Sequence, residues 1–192
     1  MNRTAHTILL ALLSCIFLGR AGGAEVAGVS IPDSLSLPGS GTELYLNGAG
    51  IRSKFLFDIY VGALYLPEQT ADPASIISDD RAAAVLMHFL YRKVERKKIT
   101  DGWNDGMKAN LPAQEFRSLQ PRLEQFNSLF TDVGKGDRVT LSYLPGTGTE
   151  VRVNDKPQGT VAGNDFFRAL LQVWLGSEPA SRDLKHAMLG GK

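Results

Sequence analysis

The segment NGAGIRSKFLFDIYVGALYL, residues 47–66, has the β-branched and aromatic content of a buried strand. It nevertheless carries Arg52, Lys54, Asp58 and Tyr60 among its apolar residues. Either these are ordinary polar positions on a half-exposed strand, or Arg52 and Tyr60 form the polar end of a mostly apolar pocket. On a fully extended chain Arg52 and Tyr60 would lie roughly 26 Å apart. A shared site therefore requires a hairpin or bulge between them.

The rest of the chain is ordered as strands, helices, strands and helices. Strands are predicted over residues 26–31, 42–46, 51–66, 82–91 and 137–143, with a hairpin over 150–161 that turns at Asn154-Asp155. Helices are predicted over 73–78, 94–111, 113–130, 165–175 and 182–189, with Asp72, Asn164 and Ser181 as caps and Gly176 as a stop. Because strands and helices do not alternate singly, the order favours an antiparallel sheet with helices on one face, an α+β layer fold.

Residues 1–24 have the composition of a secretory signal peptide: a basic start without acidic residues, an apolar run and then small residues. We expect cleavage after Ala24, export to the periplasm, and a single domain over residues 25–192. The sequence LLSC, which ends at Cys15, loosely resembles a lipoprotein processing site. The apolar run continues past Cys15, however, which argues against lipidation.

The composition excludes several classes of function. Removing residues 1–24 takes two arginines from the 21 basic residues and leaves all 20 acidic ones, so the net charge is about −1 and does not favour nucleic acid. Cys15 is the only cysteine, so the mature domain has no disulfide, zinc–thiolate site or cysteine nucleophile. His88 and His186 come without a third metal ligand, and phosphate-loop and dinucleotide fingerprints are missing. We expect neither a metal nor a cofactor.

A dense basic segment spans the junction of the predicted central strand and the start of the first long helix. Its sequence RKVERKK contains Arg92, Lys93, Arg96, Lys97 and Lys98. Cations at a helix N-terminus oppose the helix dipole, so their position is unusual. They form either a solvated corner or a patch that makes weak contact with a membrane surface, or with a fatty carboxylate at the mouth of a pocket.

Two motifs resemble one known family. The sequences NGAGIR, residues 47–52, and FDIYVGALYL, residues 57–66, look like the signature strands of the chalcone isomerase-like family. FRALLQVWLG and PASRDLKHAML, residues 167–176 and 179–189, resemble its last two helices with the glycine between them. The resemblance covers residues 26–190 and is nearest to the exported bacterial branch of the family.

The resemblance implies an open-faced β-sandwich. In this fold a large antiparallel sheet packs against a layer of helices, and a ligand cleft lies between the two. Some members of the family are enzymes that close a flavonoid ring by an intramolecular lyase reaction. Related non-catalytic members bind fatty acids in the same cleft.

Arg52 and Tyr60 are the site residues that the resemblance implies. Arg52 matches the cleft arginine, whose permanent charge and fork of donors suit a phenolate or enolate in the enzymes and a carboxylate in the binders. Tyr60 stands where the enzymes have a threonine and the fatty-acid binders have a tyrosine. If the protein is an enzyme, these two residues are its catalytic candidates.

The other polar positions of the enzymes match poorly. Val173 falls where the enzymes carry a second hydroxyl, and their helix tyrosine and asparagine fall near Ile99 and Gly106, which leaves Thr100 and Asn104 as nearby substitutes. Losing the hydroxyls that orient a substrate costs catalysis, so the resemblance favours a binder. The candidate ligand-binding residues are Arg52, Tyr60, Thr100, Asn104 and Val173.

Three hypotheses of function remain open. The first is an exported protein that binds a fatty acid or a similar apolar carboxylate in a cleft between sheet and helices. The second is a chalcone isomerase-like intramolecular lyase. The third is a scaffold that binds a protein partner through the basic segment or an exposed face of the sheet.

Overall fold

An antiparallel sheet of seven strands forms the centre of the protein. The computed structural model describes residues 23–191, so the predicted signal peptide lies outside the described residues apart from Gly23 and Ala24. The strands of the sheet are β3 Ser34–Ser36, β4 Glu43–Lys54, β5 Phe57–Leu66, β6 Ala83–Phe89, β9 Arg138–Leu144, β10 Gly148–Val153 and β11 Lys156–Val161. Their order across the sheet is β11-β10-β9-β6-β5-β4-β3. Two further pairs stand apart from it: β1 Gly23–Val26 with β2 Val29–Pro32, and β7 Lys93–Val94 with β8 Val133–Gly134.

A layer of helices packs on one face of this sheet. The helices are α1 Pro73–Ser78, α2 Arg96–Asn110, α3 Ala113–Ser128, α4 Asn164–Leu175 and α5 Arg182–Met188. Their apolar sides and one face of the sheet enclose the main core. This architecture confirms the predicted α+β fold with its open-faced β-sandwich. In the described part of the chain, none of the helices has the length and apolar character needed to cross a bilayer.

Both faces of the central strands are covered. Along β5, Tyr60 and Leu64 lie in the main core, while Val61, Ala63 and Tyr65 lie in a second core on the opposite face. Successive side chains of a strand point to opposite faces, so a strand that is buried on both sides is apolar throughout. This double burial explains why residues 60–66 show no polar alternation.

The β1–β2 hairpin covers the face opposite the helices. Its turn consists of Ala27 and Gly28, whose φ angles of 51° and 73° are both positive. Ile31 of this hairpin is buried in the second core. The prediction of one strand over residues 26–31 is wrong, because the turn falls inside that range.

Residues 47–66 form most of a second hairpin. β4 ends at Lys54 and β5 begins at Phe57, so Phe55 and Leu56 form the turn. The prediction of separate strands over residues 42–46 and 51–66 is therefore wrong. Neither turn residue belongs to the types that mark turns in a sequence, so no local signal indicated it.

The NGAG motif of β4 positions α5. A Cβ atom at Gly48 or Gly50 would overlap α5, so only glycine allows this close approach. The Asn47 amide donates to the carbonyl oxygens of Met188 at 2.8 Å and Thr70 at 3.0 Å, and its oxygen accepts the Thr70 N–H at 2.8 Å. The most distinctive residues of the motif therefore hold the last helix against the sheet.

The predicted helix caps are present at two of three positions. Asp72 and Ser181 each accept a backbone N–H from the first turn of their helix, at 3.0 Å and 3.2 Å. Asn164 is instead the first residue of α4, with Gly163 before it, and its side chain donates to Asp80 at 2.9 Å. The predicted cap at Asn164 is wrong, because its side-chain amide bonds Asp80 in the segment after α1 and does not bond the first turn of α4.

Candidate functional site

The β4–β5 hairpin brings Arg52 and Tyr60 together. Their Cα atoms are direct cross-strand partners, and the pairing is irregular immediately after Arg52. The Arg52 guanidinium carbon lies 5.7 Å from the centre of the Tyr60 ring. This geometry supplies the hairpin that a shared site requires, and it removes the separation expected for an extended chain.

Both residues line one small cavity between β5, β6, α2 and α4, which we call the inner chamber. Its volume is about 60 Å³, and among its lining residues the charged ones are Arg52 and Lys98, with no carboxylate. Most of the remaining wall is apolar: Ile59, Met87, Phe89, Val94, Ile99 and Val173. The inner chamber therefore combines positive charge with an apolar lining.

Arg52 is half-buried and keeps its donors available. Among the described residues, 23–191, no carboxylate lies within ion-pair distance of its guanidinium, and no hydrogen bond engages it. A guanidinium over an aromatic face gains modest stabilisation from the ring. Arg52 can therefore meet an oxyanion with its full fork of donors.

Tyr60 is buried, with 6% of its surface exposed, and its hydroxyl accepts a hydrogen bond from the Trp174 indole N–H at 3.0 Å. Burial raises the pKa of Tyr60, while the charge of Arg52 and the bond from Trp174 act in the opposite direction. The hydroxyl therefore stays protonated at neutral pH. Because it accepts from Trp174, its own proton remains available for a second acceptor.

A larger cavity, the outer chamber, adjoins the first. Its volume is about 620 Å³, and it shares Arg52, Ile59, Val94, Lys98, Gly102 and Ala180 with the inner chamber. Beyond these it follows the hairpin through Lys54, Phe55 and Phe57, and it follows α2 through Asp101, Asp105 and Gly106. The inner chamber thus forms the deep end of a larger open cleft.

Three further residues of α2 line the inner chamber: Lys98, predicted only as part of the basic segment, and Gly102 and Trp103, which were not predicted as site residues. Lys98 and Gly102 lie one turn apart, and a Cβ atom at Gly102 would meet no atom within 4 Å. The adjacent Trp103 is buried, and its indole N–H has no hydrogen-bond partner among the described residues. A glycine in the interior of a helix is the sequence signal that could have indicated this face.

Two of the predicted site residues lie elsewhere. Thr100 donates its hydroxyl to the carbonyl of Lys97 within α2 at 3.1 Å, and Asn104 accepts from Asn127 of α3 at 3.2 Å. A residue two positions from Lys98 or Gly102 is rotated by about 200° around an α-helix. The structure therefore directs Thr100 and Asn104 away from the chambers, whereas Val173 lines the inner one.

The basic segment divides into paired and available cations. Lys97 bonds Asp101 at 2.8 Å, Lys93 bonds Asp132 at 3.0 Å, and Arg96 donates to a backbone carbonyl of α3. Lys98 and exposed Arg92 have no ion pair among residues 23–191.

Asp132 also offsets the unfavourable placement of these cations at the start of α2. Its carboxylate accepts the backbone N–H of Arg96 at 2.9 Å. That hydrogen bond, together with the one from Lys93, lowers the pKa of Asp132. Asp132, in the loop after α3, thus places a negative charge at the N-terminus of α2, where it interacts favourably with the helix dipole. Asp132 is far from α2 along the chain, so the sequence pattern did not predict this contact.

Comparison with known proteins agrees with this fold. A search of curated proteins finds no match. A crystal structure of a fatty-acid binding protein from Arabidopsis thaliana is similar, with a TM-score of 0.61 and 17% sequence identity over 81% of this chain and 95% of that one. A sequence model described as chalcone isomerase-like matches residues 23–190, nearly the whole described chain. The protein therefore belongs to the chalcone isomerase-like family.

Proposed function

We propose that this protein is an exported binder of a fatty acid or a similar apolar carboxylate. The observation that carries the proposal is the convergence of Arg52, Tyr60 and Lys98 on one apolar chamber that has no carboxylate in its lining. Two cations and a neutral hydroxyl suit one carboxylate head group. The similar Arabidopsis protein is described as binding fatty acids, which supports the same class of ligand.

The sizes of the two chambers suggest the orientation of the ligand. The inner chamber, at about 60 Å³, offers room for only a few water molecules, which is enough for a head group and too little for a chain. The outer chamber, at about 620 Å³, falls within the usual range for small-molecule sites. The carboxylate would lie at Arg52, and the chain would run outward between the hairpin and α2.

The space behind Tyr60 is not open to an apolar chain. Trp103 packs against Phe126, Phe130 and Trp174 with ring centres 5.5–5.7 Å apart. A chain threaded deeper between sheet and helices would have to displace these aromatic side chains, which is costly in a close-packed core. This packing favours the outward orientation.

The lining of the inner chamber favours binding over ring closure. Tyr60 contributes its only hydroxyl, and that hydroxyl already accepts from Trp174. Val173, at the position where the enzymes of the family carry a second hydroxyl, contributes only methyl groups. The intramolecular lyase therefore has fewer groups with which to orient a substrate.

The test is the fatty-acid content and affinity of an Arg52→Ala variant. We expect mass spectrometry of extracts from the natively produced protein to detect a bound apolar carboxylate, and the variant to carry less of it. Removing a charge-assisted hydrogen bond costs about 1.5–3 kcal/mol, so affinity for added fatty acid should fall at least tenfold. The only two tryptophans of the chain, Trp103 and Trp174, lie at the site, and their fluorescence can follow the titration.

Arg117→Ala is the matched control. Arg117 is an exposed arginine of α3 outside both chambers, so its removal should leave ligand content and affinity unchanged. Folding of both variants is checked by their free energies of unfolding, which we expect to stay within about 1 kcal/mol of the original. Equal lipid content in the original protein and Arg52→Ala would overturn the proposal.

A further inference from the structure

The turn of the β4–β5 hairpin presents three consecutive large apolar side chains to solvent. Phe55 is 90% exposed, Leu56 is 96% exposed and Phe57 is 55% exposed. Scattered apolar residues on a surface need no explanation. Three of them in succession at the end of a projecting hairpin form a contact patch. We call residues 54–57 the tip.

Local conformation does not account for this choice of residues. Phe55 has a φ of 56°, a value that is normally left to Gly, Asn or Asp. The β10–β11 turn has Asn154-Asp155 at positive φ, and the β1–β2 turn has the small residues Ala27 and Gly28 there, so Phe55 is the one bulky side chain at positive φ among the described residues. An aromatic residue is thus kept in a strained and exposed position where it gains no packing, which indicates a contact outside this chain.

Cations lie beside the tip, although Asp58, which accepts from Ser53 at 2.6 Å, follows it directly. Lys54, Phe55 and Phe57 line the outer chamber together with Lys93 and Lys98. Lys54 and Lys98 have no ion pair among the described residues. The acids of that chamber, Asp101, Asp105 and Glu178, come from α2 and from the segment after α4. The side of the outer chamber formed by the hairpin therefore combines the apolar side chains of the tip with nearby positive charge.

An anionic lipid bilayer matches this combination. Aromatic and leucine side chains enter the boundary between headgroups and acyl chains, and lysines beside them contact anionic headgroups. The two contributions reinforce each other, since neither a short apolar insertion nor a few charges anchors a protein firmly alone. The outer chamber lies between the tip and α2, so in a docked protein it would face the membrane.

We propose that the tip inserts into the surface of a bilayer that contains anionic phospholipid, with Lys54 and exposed Arg92 against the headgroups. The docked protein presents its outer chamber to the bilayer, so an apolar molecule passes between lipid and protein without crossing water. Docking itself does not depend on the proposed function. If the protein binds vesicles and carries no fatty acid, the proposal of membrane docking stands and only the proposal of fatty-acid binding is overturned.

Flotation with vesicles tests the docking. The natively produced protein is mixed with vesicles of phosphatidylcholine containing 30% phosphatidylglycerol, or with phosphatidylcholine alone. We expect at least tenfold more binding to the anionic vesicles, and most of it should be lost between about 0.1 and 0.5 M salt, where screening shortens the reach of surface charges. Equal binding to both vesicle types, or no binding to either, overturns the proposal.

The double variant Phe55→Gly/Leu56→Ser tests the tip. Glycine accepts the φ of 56°, so this variant should be at least as stable as the original, and weaker binding would not reflect misfolding. We expect at least a tenfold loss of vesicle binding. Lys54→Glu/Arg92→Glu, which leaves the inner chamber intact, should lose binding to anionic vesicles to a similar extent.

Tyr45→Ser is the matched control. It removes an aromatic side chain that is 49% exposed and lies outside the tip, and vesicle binding should not change. Unchanged binding in the tip variant overturns the proposal. The proposal is also overturned if the only effect of the tip substitutions is to convert a dimer into a monomer, because the tip would then contact a second copy of this chain.

Discussion

At the scale of single residues, Tyr60 links the core to the candidate site. Its hydroxyl accepts from buried Trp174, the Arg52 guanidinium lies over its ring, and Phe89 packs against it with ring centres 5.6 Å apart. Because burial raises the pKa of Tyr60, the hydroxyl remains a donor at neutral pH. The Tyr60 hydroxyl therefore stabilises the core through the same atom that is proposed to contact the ligand.

Tyr60→Phe should weaken both stability and fatty-acid binding. The substitution leaves the buried Trp174 N–H without a partner, which costs about 1–3 kcal/mol in the free energy of unfolding. It also removes the donor proposed to reach the carboxylate, so affinity should fall several-fold. Urea unfolding and a fluorescence titration measure the two effects separately.

Tyr65→Phe provides the comparison. Tyr65 lies on the same strand, faces the opposite core and donates to the Pro32 carbonyl at 2.9 Å. Its substitution should lower stability and leave affinity unchanged. If both variants lost affinity equally, general destabilisation would explain the loss and the Tyr60 hydroxyl would have no direct role.

At the scale of elements, α2 presents a narrow face to the chambers. Lys98, Gly102 and Gly106 follow one another every four residues along this face. A Cβ atom at Gly106 would lie 2.9 Å from a methyl group of Val173, so this glycine lets α2 approach α4, whereas a Cβ at Gly102 would enter open space. Gly102 therefore keeps the cleft open, at the cost of helix propensity.

Substitutions at Gly102 should separate ligand binding from stability. Gly102→Ala should raise the free energy of unfolding by up to about 1 kcal/mol, because glycine is a poor helix former. Gly102→Leu should fill the junction of the two chambers and lower fatty-acid affinity at least tenfold without destabilising the fold. Ala109→Leu, on an exposed position of α2, should not affect binding. Full affinity in Gly102→Leu would place the ligand elsewhere.

At the scale of the whole molecule, the doubly buried sheet carries tyrosines in both cores. Burial raises the pKa of Tyr60 in the main core and of Tyr65 in the second core. The folded state therefore holds these protons more tightly than the unfolded chain, whose tyrosine pKa is about 10. The resulting contribution to stability is complete below pH 10 and is lost as the pH rises above it.

Stability should accordingly fall in alkaline solution. Each of these tyrosines should contribute a decrease of up to about 1.4 kcal/mol per pH unit above pH 10. Urea unfolding at pH 8, 10 and 11 measures the slope, and the double variant Tyr60→Phe/Tyr65→Phe should show a shallower one. Parallel slopes in the two proteins would contradict the assignment, because lysines and Tyr143, whose pKa burial also raises, would then account for the whole decrease.

Local signals in the sequence were enough for the helices and for strands β6, β9, β10 and β11, but not for the two hairpins β1–β2 and β4–β5. Asp72 and Ser181 cap their helices, and the turn at Asn154-Asp155 lies between β10 and β11, because each of these features depends on neighbours along the chain. The resemblance to the family added Arg52 and Tyr60 as a pair. Nothing in the spacing of these two residues placed them together.

Tertiary structure alone brought the site together. Phe55 and Leu56 form a turn without turn residues, so only cross-strand pairing over both cores sets Arg52 opposite Tyr60. Lys98 lines the inner chamber and Thr100 does not, because only one side of α2 faces β5. Periodicity shows that a helix has an apolar side, but the element it packs against follows from burial of the entire chain.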